Sequence, residues 1–471
     1  MASYFLLILP LQFWSTPINL GIVGIDDRNP QICRLQVPYA CLVWQSYINN
    51  NWEIFSRFNY GEFWSDTIRI TNNTVSDINP SVAYDYSRNC FWCVWQNNSA
   101  GNWNIFVAKG DTTNHWQSPY QLTNSQFDDK SPSICVTNDT VWVVWECGPM
   151  AEAVNILASY YDGTTWSAPM SVTLDSFYDN LNPRINLRYA HPFVVWEKNG
   201  DVYYNEYIGG SWQTAQRITS DPADDLNPEI AVYSFFSYTY GVWVFWESNR
   251  DGNWEIYRTG YDSLNNAFRV TFNNVVDTTP CPFYFIAVTR WMPLVSAYSS
   301  IRNGNEDIYT FFDSPGWESI YVDTHYARDI LPVVTQSEFC LWVLWQTDRN
   351  GDWDIYGSYM NFGRMEEARH YLPRIMFQIN PDPFTTELSI TYGIEDTKLS
   401  TRNWQTSSIS LKIYDVTGRL VRQWNALPMQ PKNKIIWSGL DNAQKRVPNG
   451  IYIIQLESRG EILQIKKVIK I

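Results

Sequence analysis

The stretch "SNRDGNWEIY" at residues 248–257 is written again as "TDRNGDWDIY" at 347–356. Looser copies are "SYINNNWEIF" at 46–55, "NNSAGNWNIF" at 97–106 and "SIRNGNEDIY" at 300–309. Each copy joins an Asn/Asp/Gly turn to a run of strand-forming residues, the signature of a β-hairpin. One hairpin repeated at near-constant spacing points to a repeat architecture. Two further series fix the period. The aromatic ending the apolar strand before each turn falls at Trp44, Trp95, Trp145, Trp196, Trp246, Tyr298 and Trp345, at intervals of 47 to 52 residues. A proline falls at Pro30, Pro80, Pro132, Pro183, Pro228, Pro280 and Pro332. Both series count seven.

Each unit holds four short strands, illustrated by "PEIAVYSF", the apolar "GVWVFWE", "WEIYRTGYD", and a last strand such as "WQTAQRITS". Trp64, Trp116, Trp166, Trp212, Phe268 and Trp317 mark that last strand. Helical periodicity is absent. Four strands per unit, repeated radially, predict an all-β chain with a seven-bladed β-propeller over 13–372. The unit of Trp345 has only three strands before the chain leaves at "NFGRMEEARHYLP". At the other end "FWSTPINL" (13–20) matches "FWSDTIRI" (63–70) in register. The N-terminal segment is therefore expected to supply the outer strand of the last blade and close the ring without a bare edge. Residues 1–12, with an apolar run from Phe5 to Leu9 but no basic n-region or clear A-x-A site, read as a remnant of a signal peptide or a leading strand.

"SNRDGNWEIY" and "TDRNGDWDIY", each in a unit with an Asp-x-x-Pro start, resemble the repeats of TolB-type propellers over roughly residues 12–360, most closely in the blades of Trp246 and Trp345. The blade of Trp196 departs, with the shortened turn "EKNGDVYY". The resemblance implies a propeller used for binding.

After Pro373 the pattern changes. Alternating strands at 388–394, 409–416, 419–424, 435–438, 450–457 and 462–470 predict a small Ig-like β-sandwich over 373–471. This segment resembles the C-terminal sorting domain of proteins exported by the type IX secretion system, and the immunoglobulin-like domain of flagellar hook-capping proteins. The motif residues are the Asn380-Pro381 opening, Ile413-Tyr414-Asp415 with Gly418 and Arg419, Trp437-Ser438-Gly439, Pro448-Asn449-Gly450-Ile451-Tyr452, and the closing Lys466-Lys467. That resemblance implies the type IX secretion machinery as a partner and a secreted or outer-membrane-surface location on a bacterium. The other reading is a plain Ig-like module without a sorting role.

Composition narrows the function. Residues 374–471 carry 14 Lys+Arg against 8 Asp+Glu, whereas 1–373 carry 20 against 40. A propeller of net charge −20 is a poor nucleic-acid partner. No run is long and apolar enough to span a membrane. Aromatic residues make up 16% of the chain, which suits pleated surfaces that must be filled. The eight cysteines have irregular spacing. Cys90 and Cys93 sit on one strand and should face opposite ways. Cys33 and Cys41 face each other across a hairpin or are buried thiols. His115, His191, His325 and His370 have no metal-ligand spacing. No catalytic nucleophile, phosphate or dinucleotide motif occurs.

Three constellations are candidates for chemistry. Asp348, Asn350, Asp352 and Asp354 alternate as in a calcium loop. Yet Gly351 is at the fourth position, not the sixth, the chelating Glu is missing, and the stretch is already accounted for as a blade hairpin, so no cofactor is expected and calcium is the alternative. Glu146, Glu197 and Glu247, next to the strand-two tryptophans, are candidates for a glycosidase acid and base, but Gln45, Gln96 and Gln346 hold the same place in other blades. Three residues before the anchor prolines stand Asp27, Asp77, Asp129, Asn180, Asp225, Asp277 and Asp329. These are expected either to fix the chain's turn into the first strand or to form an acidic rim at one channel mouth, deepened by Asp128, Asp179 and Asp224, that attracts a cation or amine. The function expected is a secreted or cell-surface, non-catalytic propeller binding a glycan, peptide or protein at one face. The alternative is an extracellular sialidase-like glycoside hydrolase: the G-x-W turns resemble sialidase Asp-boxes, with Gly252 two residues before Trp254 rather than three.

Overall fold

The computed structural model describes residues 14–34, 39–99, 101–113, 115–137, 139–148, 153–235, 238–260, 263–284, 294–302, 304–313, 320–323, 325–337, 340–361, 375–381, 383–394, 409–416, 419–427, 433–458 and 461–471. The chain divides into two compact units, 1–362 and 363–471. The boundary expected at 372/373 lies outside the described residues.

The first unit is a seven-bladed β-propeller. Seven antiparallel sheets follow one another, six built of four or five successive strands and the last of three successive strands joined by one from the start of the chain. Blade 1, for example, runs through Asp26–Arg34, Tyr39–Ile48 and Asn51–Tyr60 to outer segments Phe63–Trp64 and Ile68–Arg69. Blade 7 takes Asp329–Ser337, Cys340–Thr347 and Asp354–Asn361 from the end of the unit and Ile18–Asn19 from its start, with Ile18 opposite Gly357. The in-register match between 13–20 and 63–70 is reproduced bond for bond. Ser15 N–H donates to the Tyr359 carbonyl as Ser65 does to Phe58, and Leu20 N–H to Ile355 as Ile70 does to Ile54. Phe13 lies outside the described residues.

The proline of each unit sits in a bulge of the first strand. Register slips at the same point in all seven blades, from Arg28/Gln31 to Ile330/Val333. The residue before each proline (Asn29, Asn79, Ser131, Asn182, Asn227, Thr279 and Leu331) has φ between +50° and +53°. Proline cannot donate to the ladder, so a bulge is where a strand tolerates it. The strand-three turn needs glycine for the same kind of reason, with φ +93° at Gly252 and +97° at Gly351.

Alternation sends each strand's side chains to two neighbours, so the core is seven inter-blade cores, one at every blade–blade contact. Cys93 faces the core between blades 1 and 2, and Cys90 the core between blades 2 and 3, as expected for i and i+3 on a strand. Cys33 is directly opposite Cys41, and all eight cysteines are free thiols. The aromatics that mark the fourth strand cross to the preceding blade: Trp64 meets Trp342, Trp166 meets Trp92, and Trp212 meets Trp142, all edge-on.

The second unit is a β-sandwich. One sheet holds Ile375–Asn380, Leu388–Ile394 and Asn433–Trp437. The other orders Leu420–Leu427, Ile409–Asp415, Gly450–Ser458 and Glu461–Lys470. Leu388, Ile390, Leu411, Ile413, Trp437, Ile454 and Val468 fill the space between. No helix among the described residues is long and apolar enough to cross a membrane.

Candidate functional site

The seven residues expected at an acidic rim do not line an open mouth. Asp27, Asp77, Asp129, Asn180, Asp225, Asp277 and Asp329 are 0–1% exposed. The reason lies in the tryptophan series. An indole N–H buried in a blade core needs an acceptor, and in blades 1 to 5 the residue opening strand one supplies it, whereas the Trp345 indole of blade 7 has none. Trp44 donates to Asp27 at 3.1 Å, Trp95 to Asp77 at 2.7 Å, Trp145 to Asp129 at 3.0 Å, Trp196 to Asn180 at 2.9 Å and Trp246 to Asp225 at 3.1 Å. In blade 6 the aromatic is Tyr298, and Arg302 bonds its hydroxyl at 2.8 Å while lying 3.6 Å from Asp277. In blade 7 Arg349 meets Asp329 at 3.1 Å. Burial pushes Asp27 up to about 7 and Asp329 to about 6. Asp128 pairs with Lys130, and Asp179 accepts the Val154 N–H.

The arginine of the opening motif is explained here, and sequence reasoning had passed over it. Arg250, Arg302 and Arg349 lie 4.5, 4.3 and 4.3 Å from the ring centres of Tyr257, Tyr309 and Tyr356, the tyrosines seven residues on. Each spans from that ring to its blade's aspartate. A second missed series is threonine. Thr71, Thr123, Thr173, Thr219 and Thr271 end the fourth strands and accept the N–H of Ile54, Ile105, Ile156, Val202 and Ile256. Its sequence signal was the recurring β-branched or Leu residue followed by Thr, as in "RIT" and "QLT".

An expected result follows for Asp77, which accepts from Trp95, Asn97 and Asn73. Asp77→Ala strands those donors and should cost about 2–4 kcal/mol in urea unfolding. Asp77→Asn keeps an acceptor for the indole and should cost less than half as much. Equal losses would contradict the assigned role.

The candidate glycosidase carboxylates belong to a second series of bonds, this one joining neighbouring blades at six of the seven junctions. Each strand-two Glu or Gln accepts the bulge N–H of the next blade: Gln45 from Asn79 at 2.8 Å, Gln96 from Ser131 at 2.9 Å, Glu146 from Asn182 at 2.7 Å, Glu197 from Asn227 at 2.5 Å, Glu247 from Thr279 at 2.5 Å, and Gln346 from Asn29 at 3.1 Å. The last of these sews blade 7 to blade 1. Burial raises Glu146 and Glu197 and pushes Glu247 up to about 7. Three carboxyls with one shared duty offer no acid and base in contrasting environments.

Glu247 has a testable pH dependence. Its folded pKa exceeds the ordinary 4.5, so its contribution to stability is complete below pH 4.5 and is lost as pH rises through about 7. Glu247→Gln, the residue other blades use, should raise stability at pH 8 by at most about 3 kcal/mol and change little at pH 4.5. Melting curves at the two pH values check this.

The alternating acids at 348–354 do not converge on one point. Asp354 accepts from Asn350 at 2.6 Å and from Asn19 at 3.0 Å, while Asp348 accepts the Arg328 N–H. Among the described residues no group of three His, Cys, Asp or Glu is placed to hold a metal.

In the sandwich, the expected motif residues build turns. Arg419 closes on Asp415 at 2.9 Å, Tyr452 is buried and donates to the Pro448 carbonyl at 2.7 Å, Gly450 opens its strand, and Lys466 and Lys467 stand exposed on the last strand. Gly418 lies outside the described residues. Residues 378–471 match the family described as "Secretion system C-terminal sorting domain". The tail is a sorting domain. It directs the chain to the cell surface or the extracellular space and implies engagement with the type IX secretion machinery. No curated protein matches the chain in sequence. Solved structures of similar fold include the Trypanosoma rangeli sialidase (8% identity, TM-score 0.44, covering 94% of this chain and 84% of that one). Another is the intramolecular trans-sialidase from Ruminococcus gnavus (10%, 0.42, 71% and 94%). A third is PorZ, a bacterial surface component of the type IX secretion system of Porphyromonas gingivalis (11%, 0.39, 94% and 59%).

Proposed function

We propose that this is a non-catalytic binding protein whose propeller presents one face to a ligand and whose sorting domain delivers it outside the cell. One observation carries the reading: Glu146, Glu197 and Glu247 do the same structural work as Gln45, Gln96 and Gln346, so the carboxylates that were the glycosidase candidates are engaged in holding neighbouring blades together. The resemblance of the blades to TolB-type propellers supports a binding role, and the resemblance of the sandwich to type IX sorting domains and hook-capping Ig modules supports an export role. Screening the full chain against a glycan array, a peptide library and aryl-glycosides tests it. Binding without turnover is expected. Release of the aryl group from any member would overturn the reading in favour of hydrolysis.

A further inference from the structure

Seven times the chain passes from a fourth strand to the next blade's first strand, through 20–25, 70–76, 122–127, 172–179, 218–224, 270–276 and, among the described residues, 325–328. These loops share a face with the strand-three turns, since the first-strand N–H of Asp27, Asp129, Asp277 and Asp329 bonds a carbonyl of the preceding blade's turn. Whatever the fold needs from this loop must appear in every copy, and what appears once is free of that need. Loop 172–179 is the exception. Elsewhere the loop exposes one large apolar side chain (Val23, Phe127, Phe272 or Tyr326) or none. Here Leu174 is 91% exposed, Phe177 86% and Tyr178 49%.

This apolar tip is held in shape rather than left loose. The Asp175 carboxylate accepts the N–H of Phe177 at 3.1 Å and of Tyr178 at 3.3 Å and pairs with Lys198. The Asp175 N–H donates to Asn155, which returns a bond to the Asp175 carbonyl. The Val154 N–H holds Asp179. Such a loop loses little conformational freedom when it docks. Its surroundings are acidic. Loops 172–179 and 218–224 hold Asp175, Asp179, Asp221 and Asp224 with no Lys or Arg, and the nearby Lys198 is paired with Asp175.

Leu174 and Phe177, exposed to this degree together on one loop, form a protruding apolar patch of the kind that marks a contact with another protein. The flanking carboxylates repel anionic glycans and anionic headgroups and attract cations. We propose that loop 172–179 is a docking knob that inserts Leu174 and Phe177 into an apolar pocket on a protein partner, edged by Lys and Arg. The inference rests on the binding role proposed above and names the class of partner.

The test places a photoreactive benzophenone side chain at 177, and separately at 272 and 326, in the full chain displayed by an exporting cell. The expected result is one discrete protein adduct from 177 alone. Peptide mapping should put it in a basic-edged cleft, and adding Leu174→Asp should reduce it at least tenfold with the melting temperature unchanged. Similar adducts from all three positions, an adduct of twice the chain's own mass, or no protein adduct would each overturn the inference. Glycan affinity unchanged by Leu174→Asp, with no protein adduct, would remove the docking knob and leave the binding role standing.

Discussion

Deleting residues 1–20 should lower the propeller's melting temperature by roughly ten degrees and broaden its transition. The deleted stretch contributes more than the two paired residues Ile18 and Asn19. Leu20 is buried in the core shared by blades 7 and 1, with Trp44, Phe55, Trp342 and Leu344. Asn19 donates to Asp354, and Ser15 exchanges bonds with Ser358 and Tyr359. Without them the strand Asp354–Asn361 becomes a free edge, open to pairing with other chains. Leu20→Ala isolates the packing part and should cost about 2–4 kcal/mol. An unchanged midpoint in the truncated protein would show that the ring closes by another route.

Removing 374–471 should abolish delivery to the cell surface while the propeller still folds. The two halves of that expectation have separate grounds. Residues 378–471 match the sorting-domain family, so the export signal leaves with them. The seven inter-blade cores and the closing strand all lie within residues 14–361, so they stay when the tail is removed. Protease treatment of intact cells, followed by detection of the propeller, separates the outcomes. Protection of the truncated form against digestion of the full chain is expected. Equal digestion of both would contradict a sorting role for the tail.

Much of the fold could be read from the residues because a sevenfold repeat states each rule several times. One Trp or one Pro is weak evidence of a strand, but seven at nearly constant spacing are not. The in-register match of 13–20 with 63–70 even located the closing strand. Depth was harder. The aspartates were visible as a series, yet a sequence does not say whether a carboxylate faces solvent or an indole. The clue was the tryptophan 16 to 21 residues later in five blades, together with the arginine where blade 6 has Tyr298 or where Asp329 needs a cation. The exposed loop at 172–179 was not legible at all. Nothing in "LDSFYD" itself says whether its Leu and Phe are covered, and only its place between two blades shows that Leu174 and Phe177 are exposed.

If Glu146, Glu197 and Glu247 are architectural and the propeller binds without catalysis, one triple substitution shows it. Glu146→Gln, Glu197→Gln and Glu247→Gln combined make every tested blade resemble those of Gln45, Gln96 and Gln346. The account predicts a variant more stable than the parent at pH 8, with ligand affinity unchanged and no turnover by either protein. Hydrolysis by the parent that the triple variant loses would contradict it.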